Sequence, residues 1–451
     1  MKQLSFIEEL ETNSPLTLLD CVKEHIDINE LIPYSIYSHY YKHTGRKHKY
    51  SLTAFINALL VQKMFSITQD NLLITLLNLS EELRQFCGFN TVPDKTQFSR
   101  FKTTYADDLE EIFHHLVDLT EPICQSLGAK DAQTLIIDTT GITPYVTENN
   151  PKYLKGILTK INTLIKSNNI DITNIDKSIL GHMSKKATSN SDASLQYING
   201  HFAYALKGSI VCNAHGILRH MQLGDFTNYS DDPLNSKHIH DSKLFKPTLL
   251  NFFTRHNNIS AKYIVGDSGF DSAYNHNSAF NDFGLIPIIS VNRRNTKDDI
   301  PKPTFTNNYP CCPLDDSLPL KYIGITKEDN RATRFKYICP KTKSNISYCN
   351  TPCSSAKSGY IHYEYESDNI RQNPILSPNS DQYSLLSMKR HIVEQVISRL
   401  KLPLNMGGSY IRHSKTSKAD FFMAGIAHLV TVIIAYRMDL PRKVRCSKSI
   451  A

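Results

Sequence analysis

Asp138, Asp267 and Glu394 are the residues of this 451-residue chain best suited by type and setting to do chemistry. Asp138 ends the β-branched apolar run Gln133 to Thr139, QTLIIDT, and Asp267 ends KYIVGD, so each is expected at the tip of a buried strand. Glu394 belongs instead to SMKRHIVEQVISRLKL, residues 387–402, where Val393, Val396, Ile397 and Leu400 form a helical apolar stripe. Arg390 precedes it by four positions and Lys401 follows it by seven. At roughly 100° per residue those three side chains fall within about 40° of one another around a helix. Lys389 and Arg399 add positive charge to the same stretch.

Three carboxylates meeting beside basic residues can hold two divalent cations about 3.5–4 Å apart, one activating a water or hydroxyl and the other stabilising the departing oxygen. All-oxygen ligands favour Mg2+ or Mn2+ over softer ions. The chemistry so served is cleavage and exchange of phosphodiesters.

Each acid alone has an ordinary structural reading. Asp138 could cap a turn and Asp267 a helix, although Asp271, just before the helical run that begins at Ser272, is the better capping candidate. The stretch around Glu394 could be an amphipathic helix with a solvated charged rim. His238, His240 and Asp241 imitate a metal site, but an HxH at a polar boundary is more often solvated. Tyr274 is expected to be packed, and His428, alone in an apolar run, to be a core histidine.

The elements that must position the acids follow in order. Residues 1–130 read as an all-helical domain, for DNA binding, dimerisation or structure alone, with apolar spacing of three and four in Thr53 to Phe65, Asn71 to Phe86 and Leu109 to Leu127. Caps are expected at Ser66 to Asp70, Ser80 and Asp94. Residues 131–296 then alternate strands and helices: the Asp138 strand, a polar stretch with a helix across Leu154 to Lys166, and FAYALKGSIVCN as a hairpin turning at Lys207-Gly208. A strand across Ile217 to Leu223, a helix across Asp241 to Phe253, the Asp267 strand, a helix from Ser272 and a strand across Leu285 to Val291 complete them. Residues 297–381 read as a β-rich insertion and 382–451 as the return to the core, with the Glu394 helix and a basic C-terminal helix. The expected class is therefore α/β: a ribonuclease H-like mixed sheet flanked by helices, preceded by the all-α domain and interrupted by the insertion.

Formal net charge is +8, and it is concentrated. Between Lys389 and Lys448 there are twelve Lys or Arg against three Asp or Glu, which points to a polyanionic partner. Phe421 to Tyr436 is the longest apolar run, but His428 and Thr431 within it fit a buried helix better than a membrane span. Acidic residues in the first fifteen positions argue against a secretory leader. Ten cysteines therefore read as thiols or metal ligands in a reducing compartment. Five lie in the insertion, where Cys312, Cys339, Cys349 and Cys353 are either a four-thiolate Zn2+ site or plain thiols.

IIDTT around Asp138, GDSGFD around Asp267 and the R-x3-E-x6-K of Arg390, Glu394 and Lys401 resemble the motifs of bacterial insertion-sequence DDE transposases. The region Ser51 to Phe101, ending in VPDKTQFSRF, resembles the domain that precedes the catalytic one in such enzymes. In the subgroup with that last motif a tyrosine stands three positions before the arginine; here Ser387 holds that place, with Tyr383 four residues earlier. The resemblance implies a cytoplasmic, nucleoid-associated homodimer on double-stranded DNA. It would cut terminal inverted repeats and join 3′ hydroxyls to target DNA, with two Mg2+ or Mn2+ ions on Asp138, Asp267 and Glu394. Arg390, Lys401, Arg399 and Lys389 would contact DNA. Two alternatives are a catalytically inactive domesticated DNA-binding protein and a ribonuclease H-like nuclease that only hydrolyses.

Overall fold

The computed structural model describes residues 18–167, 184–198, 201–224, 241–290, 303–306, 309–326, 333–344, 346–354, 356–365, 376, 380–407 and 411–444. Nine helices, taken in chain order among these residues, precede the first strand: α1 (Leu18–His25), α2 (Ile28–Leu31), α3 (Tyr34–Tyr40), α4 (Leu52–Met64), α5 (Asp70–Leu79), α6 (Glu81–Cys87), α7 (Lys95–Thr104), α8 (Ala106–Leu119) and α9 (Glu121–Ala132). Next come β1 (Thr134–Ile142), α10 (Pro151–Ser167), β2 (Ser194–Ile198), β3 (His201–Asn213), β4 (Leu218–Leu223), α11 (Asp241–Arg255), β5 (Tyr263–Gly266), α12 (Ala273–Asn277) and β6 (Ile286–Ile289). The β-rich segment holds β7 (Thr304–Thr306), β8 (Tyr309–Cys312), β9 (Asp315–Pro319), β10 (Lys321–Thr326), β11 (Arg334–Ile338), β12 (Thr342–Lys343), β13 (Ile346–Ser347) and β14 (Ile361–Tyr365). Helices α13 (Asp381–Ser387), α14 (His391–Lys401) and α15 (Ser414–Arg437) follow.

The chain is mixed α/β, with a sheet of order β2-β3-β1-β5-β6 and β4 on β3. Two compact units divide it: residues 1–131, 139–239 and 395–451 form one, and 132–138 with 240–394 the other. The division passes through β1 after Asp138 and through α14 after Glu394.

In the first unit α15 is the central helix, packed on α8, α7, α4 and β4. As its apolar run predicts, it is a core helix: 94% of its most apolar 18-residue window is buried. A Cβ at Gly425 would come within 2.6 Å of the Met221 sulfur and 2.8 Å of the Phe113 ring, so glycine is what lets α15 approach β4 and α8. Buried ion pairs join the helices: Lys63 of α4 reaches Asp420 of α15 at 2.5 Å, and Lys102 of α7 reaches Asp70 of α5 at 2.5 Å. Arg219 of β4, fully buried, bonds Glu121 at 2.9 Å and the Thr120 hydroxyl at 2.6 Å. His428 lies in this core, where burial above all, with the nearby Arg399 and Arg219 charges, lowers its pKa to about 3 and keeps it neutral.

Local signals account for the helix starts. Ser51, Ser80 and Asp94 accept hydrogen bonds from Ala54, Leu83 and Gln97 backbone amides, capping α4, α6 and α7. Residue Gln69, within the expected capping stretch, precedes α5 without a side-chain cap.

The expected hairpin at Lys207-Gly208 is absent, because FAYALKGSIVCN lies within a single 13-residue strand, β3. Its first half pairs antiparallel with β2 and its second half with β4, where Gly208 partners Leu223. The turn comes later, between Asn213 and Ile217, where Gly216 takes a φ of 76° and its amide bonds Asn213. Gly208 serves packing instead: a Cβ there would meet the Phe421 ring at 3.3 Å.

In the second unit β5 pairs in parallel with both β1 and β6, and its four residues are all buried. The β-rich segment forms two three-stranded sheets, β7-β8-β9 and β10-β11-β14, with the hairpin β12-β13.

Candidate acidic active site

Register decides where the two aspartates stand. Thr134, Leu135 and Ile136 pair with Tyr263, Ile264 and Val265, and Asp138 and Asp267 each follow the last of these pairs by two residues, toward the same end of the parallel ladder. Asp138, expected at a strand tip, lies within β1, which runs on to Ile142, whereas Asp267 directly follows β5.

Packing immediately before Asp267 is tight: a Cβ on Gly266 would come 3.2 Å from Phe270 and 3.5 Å from Ile137 and Ile289. Beyond it, Ser268 to Phe270 make a 3-10 turn, and Asp267 accepts a 2.6 Å bond from the Ser268 amide. The turn is clamped by buried Asn275, whose amide donates to the Phe270 carbonyl at 2.8 Å and the Ser242 carbonyl at 2.9 Å. Asn275 escaped the sequence reading; the signal was its position three residues after Ser272, a helix-cap spacing.

Capping differs from expectation here. Ser272, not Asp271, caps α12, accepting from the Asn275 amide at 3.2 Å. Asp271 is instead buried, 3.4 Å from His276. Tyr274, expected inside, is 63% exposed with Lys246 over its ring. The capping difference arises because the helix starts at Ala273, one residue later than expected. His238 and His240 fall outside the described residues.

Glu394 lies in the first turn of α14, and Arg390 ends the 3-10 turn Met388–Arg390 that leads into it. Arg390 Nη1 lies 2.9 Å from Glu394 and 3.6 Å from Asp267. An exposed pair at this helical spacing contributes about 0.3–0.5 kcal/mol, too little for stability to explain the gathering of three charges from two segments. Asp267 and Glu394 side chains are each 49% exposed, so both can meet a ligand from solvent.

Tyr383 has a scaffolding place. It is buried in α13, donates to the Ile289 carbonyl at 3.3 Å, and its pKa is raised to about 12 by burial and by the Asp271 charge. Ser387 ends the same helix. Lys389, partly buried, sits in the 3-10 turn beside Arg390. Arg399 donates to the Gln395 carbonyl at 3.1 Å, and Lys401 closes α14; both belong to the first unit.

The donor set is all carboxylate and already draws one cation, the Arg390 guanidinium, onto two members, which suits hard divalent ions.

A family model described as Transposase DDE domain matches residues 167–430, more than half of the chain, and contains Asp267, Arg390 and Glu394. One described as Transposase domain (DUF772) matches residues 6–104. Asp138 falls between the two matches. A comparison with curated proteins gives no match.

Proposed function

Because the chain belongs to the Transposase DDE domain family of insertion-sequence transposases, enzymes that act on DNA, we propose that Asp138, Asp267 and Glu394 are its catalytic carboxylates. The reaction we assign is cutting at transposon ends followed by joining of the freed 3′ hydroxyls to target DNA. The observation that carries this reading is the meeting of Asp267 and Glu394, far apart in sequence, on one guanidinium.

The three carboxylates would hold two Mg2+ or Mn2+ ions. When bound, these ions would sharpen the attacking hydroxyl and offset charge on the leaving oxygen. Arg390 keeps a positive charge beside the acids, where a scissile phosphate would gain from it. Lys389, Arg399 and Lys401 would grip the flanking backbone. The parallel β1-β5-β6 ladder and the antiparallel β2-β3-β4 strands support a ribonuclease H-like arrangement, with residues 131–296 and 382–451 as the core, 297–381 as an insertion and 1–130 as the DNA-binding or dimerising domain. A homodimer on paired terminal repeats, in the cytoplasm at the nucleoid, completes the reading.

Incubation of the protein with duplexes carrying the element's ends and Mg2+ tests it. Joined products carrying the 3′ hydroxyl strand are expected; hydrolysis without joining would identify a nuclease, and binding without either an inactive relative.

A further inference from the structure

Among its described residues the β-rich segment has a small apolar core. Its buried cluster is Leu320, Phe335 and Tyr337, flanked by half-buried Tyr309, Tyr322 and Tyr360, yet it must hold two small sheets and a hairpin together. Small modules with such cores are commonly closed by a disulfide or a structural metal.

Four cysteines are linked at one end of this segment by a shared cavity and one sulfur contact. Cys312 ends β8 and faces a short turn into β9, where its ladder partner is Asp315. Cys339 directly follows β11. The sequence between Cys339 and Cys349 matches no regular metal knuckle, but β12 and β13 fold it back: Thr342 pairs with Ser347, Lys343 with Ile346, and the Tyr348 amide bonds the Lys341 carbonyl at 3.0 Å. Extending that register sets Pro340 opposite Cys349, so Cys339 and Cys349 stand at the same end of the hairpin. Cys312, Cys339 and Cys349 line one cavity of about 160 Å³. Cys353 joins them through Cys312, their sulfurs 3.9 Å apart.

That separation is nearly twice a disulfide bond length of about 2.05 Å. For this pair it matches the edge of a tetrahedron of thiolates around zinc, about 3.8 Å for Zn–S bonds of about 2.3 Å, and the Cys339 and Cys349 sulfurs would draw in on the pair when an ion binds. Two neighbours stand outside the set. Asp315 also lines the cavity, but its Oδ1 accepts from the Ser317 amide at 3.1 Å and hydroxyl at 2.6 Å. Cys311, alternate to Cys312 along β8, belongs to the other face of the strand and does not line the cavity. Lys341 lines the cavity as well, and its charge suits a tetrathiolate centre of net negative charge.

We propose that Cys312, Cys339, Cys349 and Cys353 bind one zinc ion as thiolates and that this ion closes the β-rich segment. With all four positions filled by protein ligands the centre is structural, and it stands independently of the carboxylate site, whose oxygens select harder ions.

Metal content of the full chain, purified under reducing conditions without added zinc, tests this. About one zinc per chain is expected, released as a mercurial titrates four thiolates to mercaptides. Cobalt loading should give the sulfur-to-metal absorption of a tetrahedral thiolate centre. Cys349→Ser and Cys353→Ser should each lower zinc retention at least tenfold, whereas Cys311→Ala should retain it. If either serine variant fails to fold, the thiol count and cobalt spectrum of the parent chain decide. A parent chain without zinc, a Cys312–Cys353 disulfide detected by mass, or full zinc retention by both serine variants would overturn the proposal. None of these readouts depends on DNA cleavage.

Discussion

Asp138 and Asp267 each follow by two residues the last pair of the β1-β5 ladder, Ile136 with Val265. Strand pairing therefore brings both to the same end of that ladder. Glu394, carried by a helix, is brought to Asp267 through Arg390.

If these acids are the ion ligands, Asp138→Asn, Asp267→Asn and Glu394→Gln should each lower Mg2+-dependent cleavage on the order of 10³-fold or more, several kcal/mol of transition-state stabilisation. Asp267 and Glu394 are half exposed, so thermal midpoints of their variants should scarcely move. Gel-shift affinity for end DNA should persist. Parent-like cleavage by any one variant removes that residue from the site.

Arg390 competes with divalent ions for Asp267 and Glu394 in addition to any contact with phosphate. Arg390→Ala should therefore shift the Mg2+ titration midpoint down several-fold while turnover falls at saturating metal. A midpoint that stays or rises would show that the guanidinium does not oppose metal binding.

Lys401→Ala should weaken DNA binding and reduce the slope of log affinity against log salt by about 0.9, the contribution of one phosphate contact. Titrations between 50 and 200 mM salt, on the order of the usual working range, measure it. An unchanged slope rules the contact out.

The Lys102–Asp70 pair links stability to acid. Burial alone would raise the Asp70 pKa, but the Lys102 charge and hydrogen bond, aided by Gln62, outweigh it and hold the carboxyl below its usual range. A carboxylate with a depressed folded pKa adds stability that is present above its unfolded value of about 4 and disappears as pH falls through the folded one. Lys102→Met should cost about 3 kcal/mol at pH 7 by urea unfolding, with the gap to the parent chain narrowing in acid. A gap that is independent of pH would place the stabilisation elsewhere.

What the sequence alone determined is local. The strands that carry Asp138 and lead to Asp267, the helical face carrying Glu394, the caps at Ser80 and Asp94 and the buried character of α15 all follow from neighbouring residues, because φ/ψ preference and apolar periodicity act over a few positions, although β1 runs on past Asp138 to Ile142 instead of ending there. Where local signals were ambiguous, tertiary pairing overruled them: Gly208 has the chemistry of a turn but lies in a ladder, held there by β4 on one side and the Phe421 ring against its bare Cα. Only the tertiary structure decided the parallel register that brings Asp138 and Asp267 to one end of the β1-β5 ladder, the reach of Arg390 to both Glu394 and Asp267, and the approach of Cys353 to Cys312 across 41 residues. These depend on which buried surfaces pack together over long separations, and no window of adjacent residues carries that energy.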